Sequence, residues 1–275
     1  MTITFTPLTE TVGVDVTGFD ADTLLHDPDL PAVILDALAA HGVLVFRGFG
    51  CDDALQVAFS KRLGTVETFP MGDPPEIFRV TLDPDVNPAA DYLRGTVDWH
   101  IDGMTDDVPI MATLLCAHAV AAEGGETQFT STYAAYDALP DDLRARVDEL
   151  RVRHTFLAAQ RLIHPDPSDE EIAFWSQRPP KEHPLVWRHH DGRRSLVLST
   201  TADQVVGLDP DEGSALLADL LERATVPERV YTHHWTVGDL VMWDNRGLLH
   251  RVLPYAWGSP RDMHRTTIQG NEPIA

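Results

Sequence analysis

Short runs of β-branched and aromatic residues, separated by turn residues, recur along the chain from residue 110 onwards. In order they are IMATLLCAHAV, ETQFTS, HPLVWRHH, RRSLVLST, RVYTHHWTV, DLVMWDN, LLHRVLPY and MHRTTIQG. Runs of this length and composition predict β-strands, and the Asp191-Gly192 pair between two of them predicts a hairpin turn. So many short strands with few helices predict a mainly β domain of barrel or jelly-roll type with flanking helices.

Helical periodicity is strongest near the N-terminus. The stretch DLPAVILDALAAHG predicts a helix between Asp29 and Gly42, and DDALQVAFSKRLG predicts a second one between Asp52 and Gly64. The apolar run GVLVFRGFG between them predicts a buried strand. Further helices are expected over residues 132–150, 168–178 and 211–224. The proline-rich stretches are typical of loops, so residues 1–275 are expected to form a single domain.

The charge and the cysteines limit the class of protein. A formal net charge of −22 argues against a nucleic-acid partner, which would need a basic surface. No run of about 18 apolar residues exists, so no membrane span is expected, and MTITFTPLTE lacks the features of a signal peptide. Cys51 and Cys116 are expected to be separate thiols, which together with the missing signal peptide predicts a cytoplasmic protein.

The spacing His-x-Asp occurs three times, and its context differs each time. The three pairs are His100/Asp102, His164/Asp166 and His189/Asp191. Prolines place the second pair on a loop, and the hairpin turn places the third at a solvated tip. The first pair follows GTVDW without a proline. If it is extended, both of its side chains point to the same side and can bind one metal ion. An incidental polar pair is the alternative.

The C-terminal stretch offers a third metal ligand. If LLHRVLPY and MHRTTIQG form a hairpin around residues 256–260, His250 faces Arg265 directly across the ladder, and Arg261 shares that face. Two histidines and one carboxylate leave three positions of a metal ion open, as in non-heme Fe(II) oxygenases. An arginine beside them could bind a carboxylate-bearing co-substrate.

Several motifs in a fixed order resemble the taurine dioxygenase (TauD/TfdA-like) family of Fe(II)- and 2-oxoglutarate-dependent dioxygenases. They are HGVLVFRGF, DWHID, EGGETQFTSTYAAYDALP, VGDLVMWDNRGLLHR and RDMHRTTIQG, and they cover nearly the whole chain. The resemblance implies a double-stranded β-helix, which is a jelly-roll, cupin-like core. It also implies Fe(II) as cofactor with 2-oxoglutarate and O2 as co-substrates.

The resemblance also implies roles for individual residues. His100, Asp102 and His250 would bind iron. Arg265 would hold the distal carboxylate of 2-oxoglutarate together with Thr127, and Arg261 would lie near the end that chelates the metal. Because Asp102 retains the carboxylate ligand that related halogenases lack, hydroxylation is the expected outcome, with release of succinate and CO2. No catalytic residue is expected beyond the metal centre.

The substrate is expected to be a small, anionic organic molecule. Taurine itself is disfavoured, because TFP and GTV stand where taurine-specific members carry a histidine and an asparagine. For each candidate substrate-contacting residue the alternative is ordinary packing or a solvated charge. These candidates are Phe69, Arg79, Tyr92, Arg94, Phe156, Arg161 and, packed close to the iron, Trp243.

Other readings of the same sequence stay open. The iron site could serve desaturation or another oxidative step in a biosynthetic pathway. A non-catalytic jelly-roll sensor of a metal or small acid is a further alternative, although a sensor has no need of both Arg261 and Arg265. The family resemblance also implies a possible homo-oligomer, a dimer or tetramer. Five further histidines could in principle bind a metal but are expected to be structural or exposed. They are His118, His154, His233, His234 and His264.

Overall fold

The structure is a computed structural model that describes residues 2–70 and 72–275. Strands predominate among these residues. They are β1 (Thr4–Pro7), β2 (Val14–Thr17), β3 (Val43–Phe46), β4 (Phe78–Val80), β5 (Ala112–Ala119), β6 (Thr127–Ser131), β7 (Arg151–His154), β8 (Lys181–Pro184), β9 (Val186–Arg188), β10 (Arg194–Leu196), β11 (Ala202–Val205), β12 (Tyr231–His233), β13 (Leu240–Asp244), β14 (Leu248–Val252) and β15 (Asp262–Ile268).

The helices flank these strands. They are α1 (Ala21–His26), α2 (Leu30–His41), α3 (Asp53–Leu63), α4 (Thr132–Asp137), α5 (Asp141–Val147), α6 (Phe156–Ile163), α7 (Asp169–Trp175) and α8 (Pro210–Ala224), with short 3₁₀ turns at Tyr92–Val97 and Pro227–Arg229. None of the helices in the described part of the chain is long and apolar enough to cross a membrane.

The largest sheet has seven strands in the order β1-β2-β3-β13-β5-β15-β4. One face of this main sheet packs against α1, α2 and α3 through side chains such as Leu44, Phe46, Leu114 and Leu240. Strands β3 and β13 at its centre are buried on both faces, which explains the continuous apolar run of β3. The pairing is antiparallel except between β2 and β3.

A small sheet of three strands, in the order β12-β6-β14, faces the main sheet. The core between the two sheets contains Leu115 and Met263 of the main sheet with Phe129 and Leu248 of the small sheet. A third layer of short strands, β7 to β11, forms a separate apolar cluster with helices that include α4 and α8. The fold is therefore mainly β with flanking helices, as the sequence predicts.

Several local predictions are confirmed. Asp52 caps α3 by accepting from the Leu55 amide, and Gly42 ends α2 with a φ of 73°. The hairpin at Asp191-Gly192 joins β9 to β10. The single helix expected over residues 132–150 is instead two, because Pro140 interrupts it and α5 starts after this proline. Helix α6 is an element that the apolar pattern did not reveal.

The predicted hairpin between the last two strands is wrong. Strand β14 pairs with β6, so that His250 lies opposite Phe129, whereas β15 pairs with β5 and β4. The connection between them crosses from the small sheet to the main sheet. Each of the two strands therefore forms its backbone hydrogen bonds with other strands. The side chains of His250 and Arg265 belong to different sheets and line the same cavity.

The two cysteines are not separate thiols. Cys51 and Cys116 form a disulfide with a Cα–Cα distance of 5.6 Å. Cys116 lies on the face of β5 that packs against α1–α3, and Cys51 precedes α3 directly, so the fold brings together two residues that are distant in sequence. Stable disulfides are typical of oxidising compartments. The cysteines therefore lend no support to the expectation of a cytoplasmic protein.

Candidate metal centre

His100, Asp102 and His250 converge at one end of the space between the main and the small sheet. One nitrogen of each imidazole and one carboxylate oxygen lie within 4.8 Å of one another. The Nε2 atom of His100 is 3.7 Å from Oδ1 of Asp102, and Nε2 of His250 is 3.8 Å from Oδ2. These gaps are too long for hydrogen bonds. They leave room for an ion, since metal–nitrogen bonds measure about 2.1 Å.

The backbone positions these side chains in two ways. His100 forms an isolated antiparallel bridge with His250, which extends the small sheet beyond β14. Asp102 lies in a turn rather than on a strand. The expectation that His100 and Asp102 converge because both are extended is therefore wrong; the chain bends after His100 and returns the carboxylate to the imidazoles.

The charge states of the three groups suit a metal cation. Burial lowers the pKa of His250 to about 3, so its imidazole is neutral. Burial alone would raise the pKa of Asp102, but nearby positive charge, to which the Arg265 guanidinium at 3.8 Å contributes, outweighs it and lowers the pKa of this carboxyl. Nδ1 of His100 donates to the Asp98 carbonyl at 2.8 Å, which leaves its Nε2 lone pair facing Asp102.

An orphaned oxygen supports the fit of a metal. Oδ2 of Asp102 is buried and has no hydrogen-bond partner among the described residues. An ionised oxygen without a donor is costly unless a cation neutralises it. Together with the imidazoles of His100 and His250 it forms the donor set that non-heme ferrous enzymes use.

Arg265 lies beside this donor set. Its Nη1 atom is 3.8 Å from Oδ2 of Asp102. The guanidinium lies over the rings of Phe78 and Phe69, at 4.7 and 5.8 Å from their centroids. Its Nε is buried and finds no acceptor among the residues that the structure describes. This arginine therefore has an unused donor next to the metal ligands.

Arg261 occupies a different part of the same cavity. It is 3% exposed, its Nε donates to the Gly125 carbonyl at 3.3 Å, and its guanidinium lies 5.0 Å from the centre of the Tyr255 ring. Burial lowers its pKa. Thr127 is also buried in this cavity, where its hydroxyl accepts from Nε1 of Trp235 at 3.0 Å.

Glycine at position 125 is required for the placement of Arg261. A Cβ atom there would lie 3.0 Å from Cδ of Arg261, and the φ of 78° disfavours any other residue. Sequence reasoning did not single out this glycine or Tyr255, although both contact Arg261. The double glycine of EGGET was a signal that could have indicated it.

The wall of the cavity is mostly apolar. Trp243 packs against His250 with 4.9 Å between ring centres, and its Nε1 donates to Oδ1 of Asn245 at 3.1 Å. Asn245 in turn donates to Thr113 at 2.9 Å. Further side chains that line the cavity are Val80, Leu93, Thr96, Leu115, Arg251 and Val252.

The candidate substrate residues lie mainly outside this cavity. Phe69, Arg79 and Tyr92 line a neighbouring cleft, and the Tyr92 ring is 5.8 Å from that of Phe156. Arg79 is paired with Asp262, and Arg94 with Asp91. Arg161 is exposed on α6. Trp243 is the candidate that lines the cavity itself, beside His250, and the Phe69 ring lies 5.8 Å from the guanidinium of Arg265.

The other two His-x-Asp pairs do not form a site. Nε2 of His164 contacts Asp91 at 2.9 Å, rather than Asp166. His189 was expected at a solvated tip, but it is buried against Trp187, with Nε2 at 2.8 Å from the Ser195 hydroxyl. The side chains of Trp187 and His189 point inwards and that of Arg188 points outwards, as expected for an extended strand. The turn residues that follow led to the wrong expectation that His189 is exposed.

Comparison with known proteins points to one group of enzymes. Residues 4–267 match the model of the family described as "Taurine catabolism dioxygenase TauD, TfdA family". The chain is 37% identical, over 82% of its length and 83% of the relative's, to the alpha-ketoglutarate-dependent 2,4-dichlorophenoxyacetate dioxygenase of Cupriavidus pinatubonensis. It is 36% identical to the (S)-phenoxypropionate/alpha-ketoglutarate-dioxygenase of Sphingobium herbicidovorans, covering 96% of this chain and 94% of that one.

A solved structure extends the comparison to three dimensions. The crystal structure of AAD-2 in complex with Mn(II) and N-oxalylglycine superposes with a TM-score of 0.85 and 33% identity, covering 100% of both chains.

Proposed function

The chain belongs to the TauD/TfdA family of dioxygenases, and from this premise we propose that it hydroxylates a C–H bond of a small, anionic organic substrate. The reaction uses Fe(II) and O2 and converts 2-oxoglutarate to succinate and CO2. One observation carries the proposal: the imidazoles of His100 and His250, the carboxylate of Asp102 and the guanidinium of Arg265 meet in one partly closed cavity.

His100, Asp102 and His250 are the residues that would hold the ferrous ion. When bound, the ion supplies the centre at which O2 and 2-oxoglutarate react to give the oxidant that attacks the substrate. The protein's own contribution is orientation. The bridge between His100 and His250 fixes both rings, and the hydrogen bond to Asp98 fixes the tautomer of His100.

The two arginines are assigned in the opposite sense to the expectation from sequence. Arg265 lies 3.8 Å from a metal ligand, which supports a role at the keto-acid end of 2-oxoglutarate or at the anionic group of the substrate. Arg261 is buried beside Gly125 and shares its cavity with Thr127, which supports a role for this pair at the distal carboxylate. A guanidinium out of water binds a carboxylate more strongly than one in solvent.

The substrate is proposed to enter through the cleft lined by Phe69 and Tyr92. The apolar wall that includes Leu93 and Val252 suits an aryl or alkyl group, and it excludes water from the reacting carbon. Since the whole chain is strongly acidic, an anionic substrate needs a local cation. Arg265 supplies one next to the metal, whereas Arg79 and Arg94 are paired with carboxylates.

The architecture that supports this site is proposed to be a double-stranded β-helix of the jelly-roll, cupin-like type, in one domain. Its two layers are the main sheet, which carries Arg265, and the small sheet, which carries His250. The proposal rests on their face-to-face packing around a shared core and on the crossing of the chain between them after β14.

Substrate-stimulated succinate release tests this function. The protein is reconstituted with Fe(II) without oxygen, and then given 2-oxoglutarate, air and a panel of phenoxyalkanoates, alkyl sulfates, sulfonates and amino acids. We expect an anionic aryl or alkyl compound to raise succinate release and to gain one oxygen atom. A product lighter by two hydrogens would indicate desaturation, and no succinate with any compound or without one would overturn the proposal. His100→Ala serves as the inactive control.

A further inference from the structure

A second group of metal-binding side chains lies on the other face of the main sheet. It consists of Asp53 at the start of α3, His118 on β5 and His264 on β15, with one ligand atom from each within 4.8 Å of the others. Oδ1 of Asp53 is 2.6 Å from Nδ1 of His264 and 3.3 Å from Nε2 of His118. The two imidazoles stack with 3.6 Å between their centres.

One atom of this cluster lacks a partner. Nε2 of His118 is shielded from solvent and makes no hydrogen bond with any described residue. It lies 3.3 Å from the carboxylate oxygen that His264 contacts, Oδ1 of Asp53, but without the geometry of a hydrogen bond. A shielded nitrogen without a partner is costly to leave unsatisfied. A cation shared by the three side chains would satisfy it.

The surroundings resemble the outer shell of a metal site. Oδ2 of Asp262 lies 3.7 Å from Nε2 of His264, the nitrogen that faces away from Asp53, and Arg79 is ion-paired with this same Asp262. A carboxylate behind a ligating imidazole orients the ring and raises its basicity. The disulfide also limits how far Asp53 and His118 can move apart. Cys51 stands two residues before Asp53, and Cys116 stands two residues before His118.

We propose that Asp53, His118 and His264 bind one divalent transition-metal ion, of the kind that prefers imidazole together with a carboxylate, such as Zn²⁺. The ion replaces the hydrogen bond between Nδ1 of His264 and Oδ1 of Asp53, and these two atoms, now 2.6 Å apart, must separate to admit it, since each metal–ligand bond measures about 2.1 Å. Because the two ring planes are only 20° apart, the rings must rotate to direct both nitrogens to one ion. Their partly exposed edges, with side-chain exposures of 26% and 11%, leave the cluster open to solvent for this rotation.

This site is separate from the proposed iron centre. Neighbouring residues on β15 point to opposite faces of the sheet, so His264 faces α3 while Arg265 faces the catalytic cavity. The two sets of ligands share no residue. Loss of the second site should therefore leave 2-oxoglutarate turnover in place.

Zn²⁺ binding in a variant without the iron centre tests the proposal. His100→Ala/His250→Ala is dialysed against chelator and titrated with Zn²⁺ by isothermal titration calorimetry, and bound zinc is counted after gel filtration. We expect one tightly bound equivalent, which disappears when His118→Ala is added. Adding Asp53→Asn should weaken binding as well, while it keeps the size of the side chain and the fold.

Matched controls separate this site from the acidic surface. His234 is a histidine with 77% side-chain exposure, beside Glu126, so adding His234→Ala should leave the tight equivalent unchanged. Adding Asp262→Asn should weaken it by about 10- to 100-fold, as loss of the carboxylate behind a ligating imidazole does. Absence of a tight equivalent, or one that survives both His118→Ala and Asp53→Asn, would overturn the proposal. A folded circular dichroism spectrum of each variant and unchanged succinate formation in the His118→Ala single variant exclude unfolding as the cause.

Discussion

His100 and His250 exchange both of their main-chain hydrogen bonds, each amide donating to the carbonyl of the other at 3.0 Å. This pairing fixes the spacing of two proposed metal ligands that lie far apart in the sequence. It also means that either imidazole can be removed without loss of the bridge, since the bonds involve the backbone alone. The metal ligands are therefore suited to substitution tests that leave the fold intact.

The first prediction concerns His100→Ala. Removing one of three ligands should weaken Fe(II) binding by more than the roughly 10- to 100-fold that loss of an outer-sphere partner costs, and succinate formation should fall to background. Metal content after reconstitution and succinate release measure the two effects. The thermal midpoint without metal should stay close to that of the parent. Normal succinate formation by this variant would contradict the assignment.

The second prediction separates Arg261 from Arg265. In Arg261→Ala the discrimination between 2-oxoglutarate and 2-oxobutanoate, which lacks the distal carboxylate, should shrink, because the partner of that carboxylate is gone. The loss of 2-oxoglutarate affinity should be about 10- to 100-fold, as for other charge-assisted bonds of about 1.5–3 kcal/mol. Calorimetric titration of the anaerobic Mn(II)-loaded protein with both acids measures it.

Arg265→Ala is the matched comparison. This variant should keep the preference for 2-oxoglutarate over 2-oxobutanoate, while its affinity for both acids or for the anionic substrate falls. If instead Arg265→Ala abolishes the preference and Arg261→Ala keeps it, the roles expected from the sequence are right and those proposed here are wrong.

The third prediction concerns Gly125→Ala. The added methyl group would meet Arg261 at 3.0 Å, so the guanidinium must shift and 2-oxoglutarate should bind more weakly. Gly207→Ala is the control for backbone strain, because Gly207 has a similar φ of 84° but nothing within 4 Å of the added Cβ. Both variants should lose stability, about 1–3 kcal/mol of strain each, and only Gly125→Ala should raise the KM for 2-oxoglutarate. Equal KM values would count against a role for Arg261.

The fourth prediction tests the support of His250. Asn245→Leu should lower the free energy of unfolding by about 1–3 kcal/mol, because it leaves the buried indole N–H of Trp243 without its acceptor. Urea unfolding measures the change. Adding Trp243→Phe removes the unpaired N–H, and the double variant should lose less than the sum of the two single changes. Strict additivity would show that the bond contributes nothing.

The fifth prediction is an acid sensitivity that does not depend on metal. Burial lowers the pKa of His154 and of His233 to about 3 and that of His189 to about 4, against about 6.5 in the unfolded chain. Between these pKa values the histidines bind protons in the unfolded state but not in the folded state. The free energy of unfolding therefore falls as the pH falls from about 6.5 to about 4. Each histidine contributes up to about 1.4 kcal/mol per pH unit in this window.

Urea unfolding at several pH values without metal measures this slope. His154→Gln should reduce it by the share of one histidine, whereas His234→Ala, at an exposed position, should leave it unchanged. A stability that is flat between pH 4 and 6, as approximate limits of that window, would contradict the prediction.

Local patterns were readable from the sequence, and long-range pairings were not. The cap at Asp52 and the turn at Asp191-Gly192 depend on a few neighbouring residues, and both are confirmed. The partner of β14 depends on strands that are distant in the sequence. It pairs with β6, and β15 pairs with β5 instead of with β14. The assumed register nevertheless placed His250 and Arg265 together, because the two sheets bring the same side chains into one cavity.

The sequence indicated that His100, Asp102 and His250 come together, and they do, but it did not predict how the backbone brings them there. His-x-Asp on an extended strand was expected to suffice, whereas the chain bends at Asp102. The disulfide was missed because two cysteines 65 residues apart carry no local signal. The contact between Arg261 and Gly125 was missed for a similar reason. The two residues are 136 positions apart, and only the three-dimensional arrangement of the chain shows that they approach each other closely.

Strand β15 separates two sets of side chains by its alternation. Asp262 and His264 face one way, towards Asp53, while Met263 and Arg265 face the other, towards the shared core and the proposed metal ligands. A slip of one residue in the pairing of this strand would exchange the two sets, with Thr266 or His264 in the place of the guanidinium. The buried neighbours of Met263 therefore determine which polar group the cavity receives, whereas a change of length around the exposed Trp257 can be taken up by the loop.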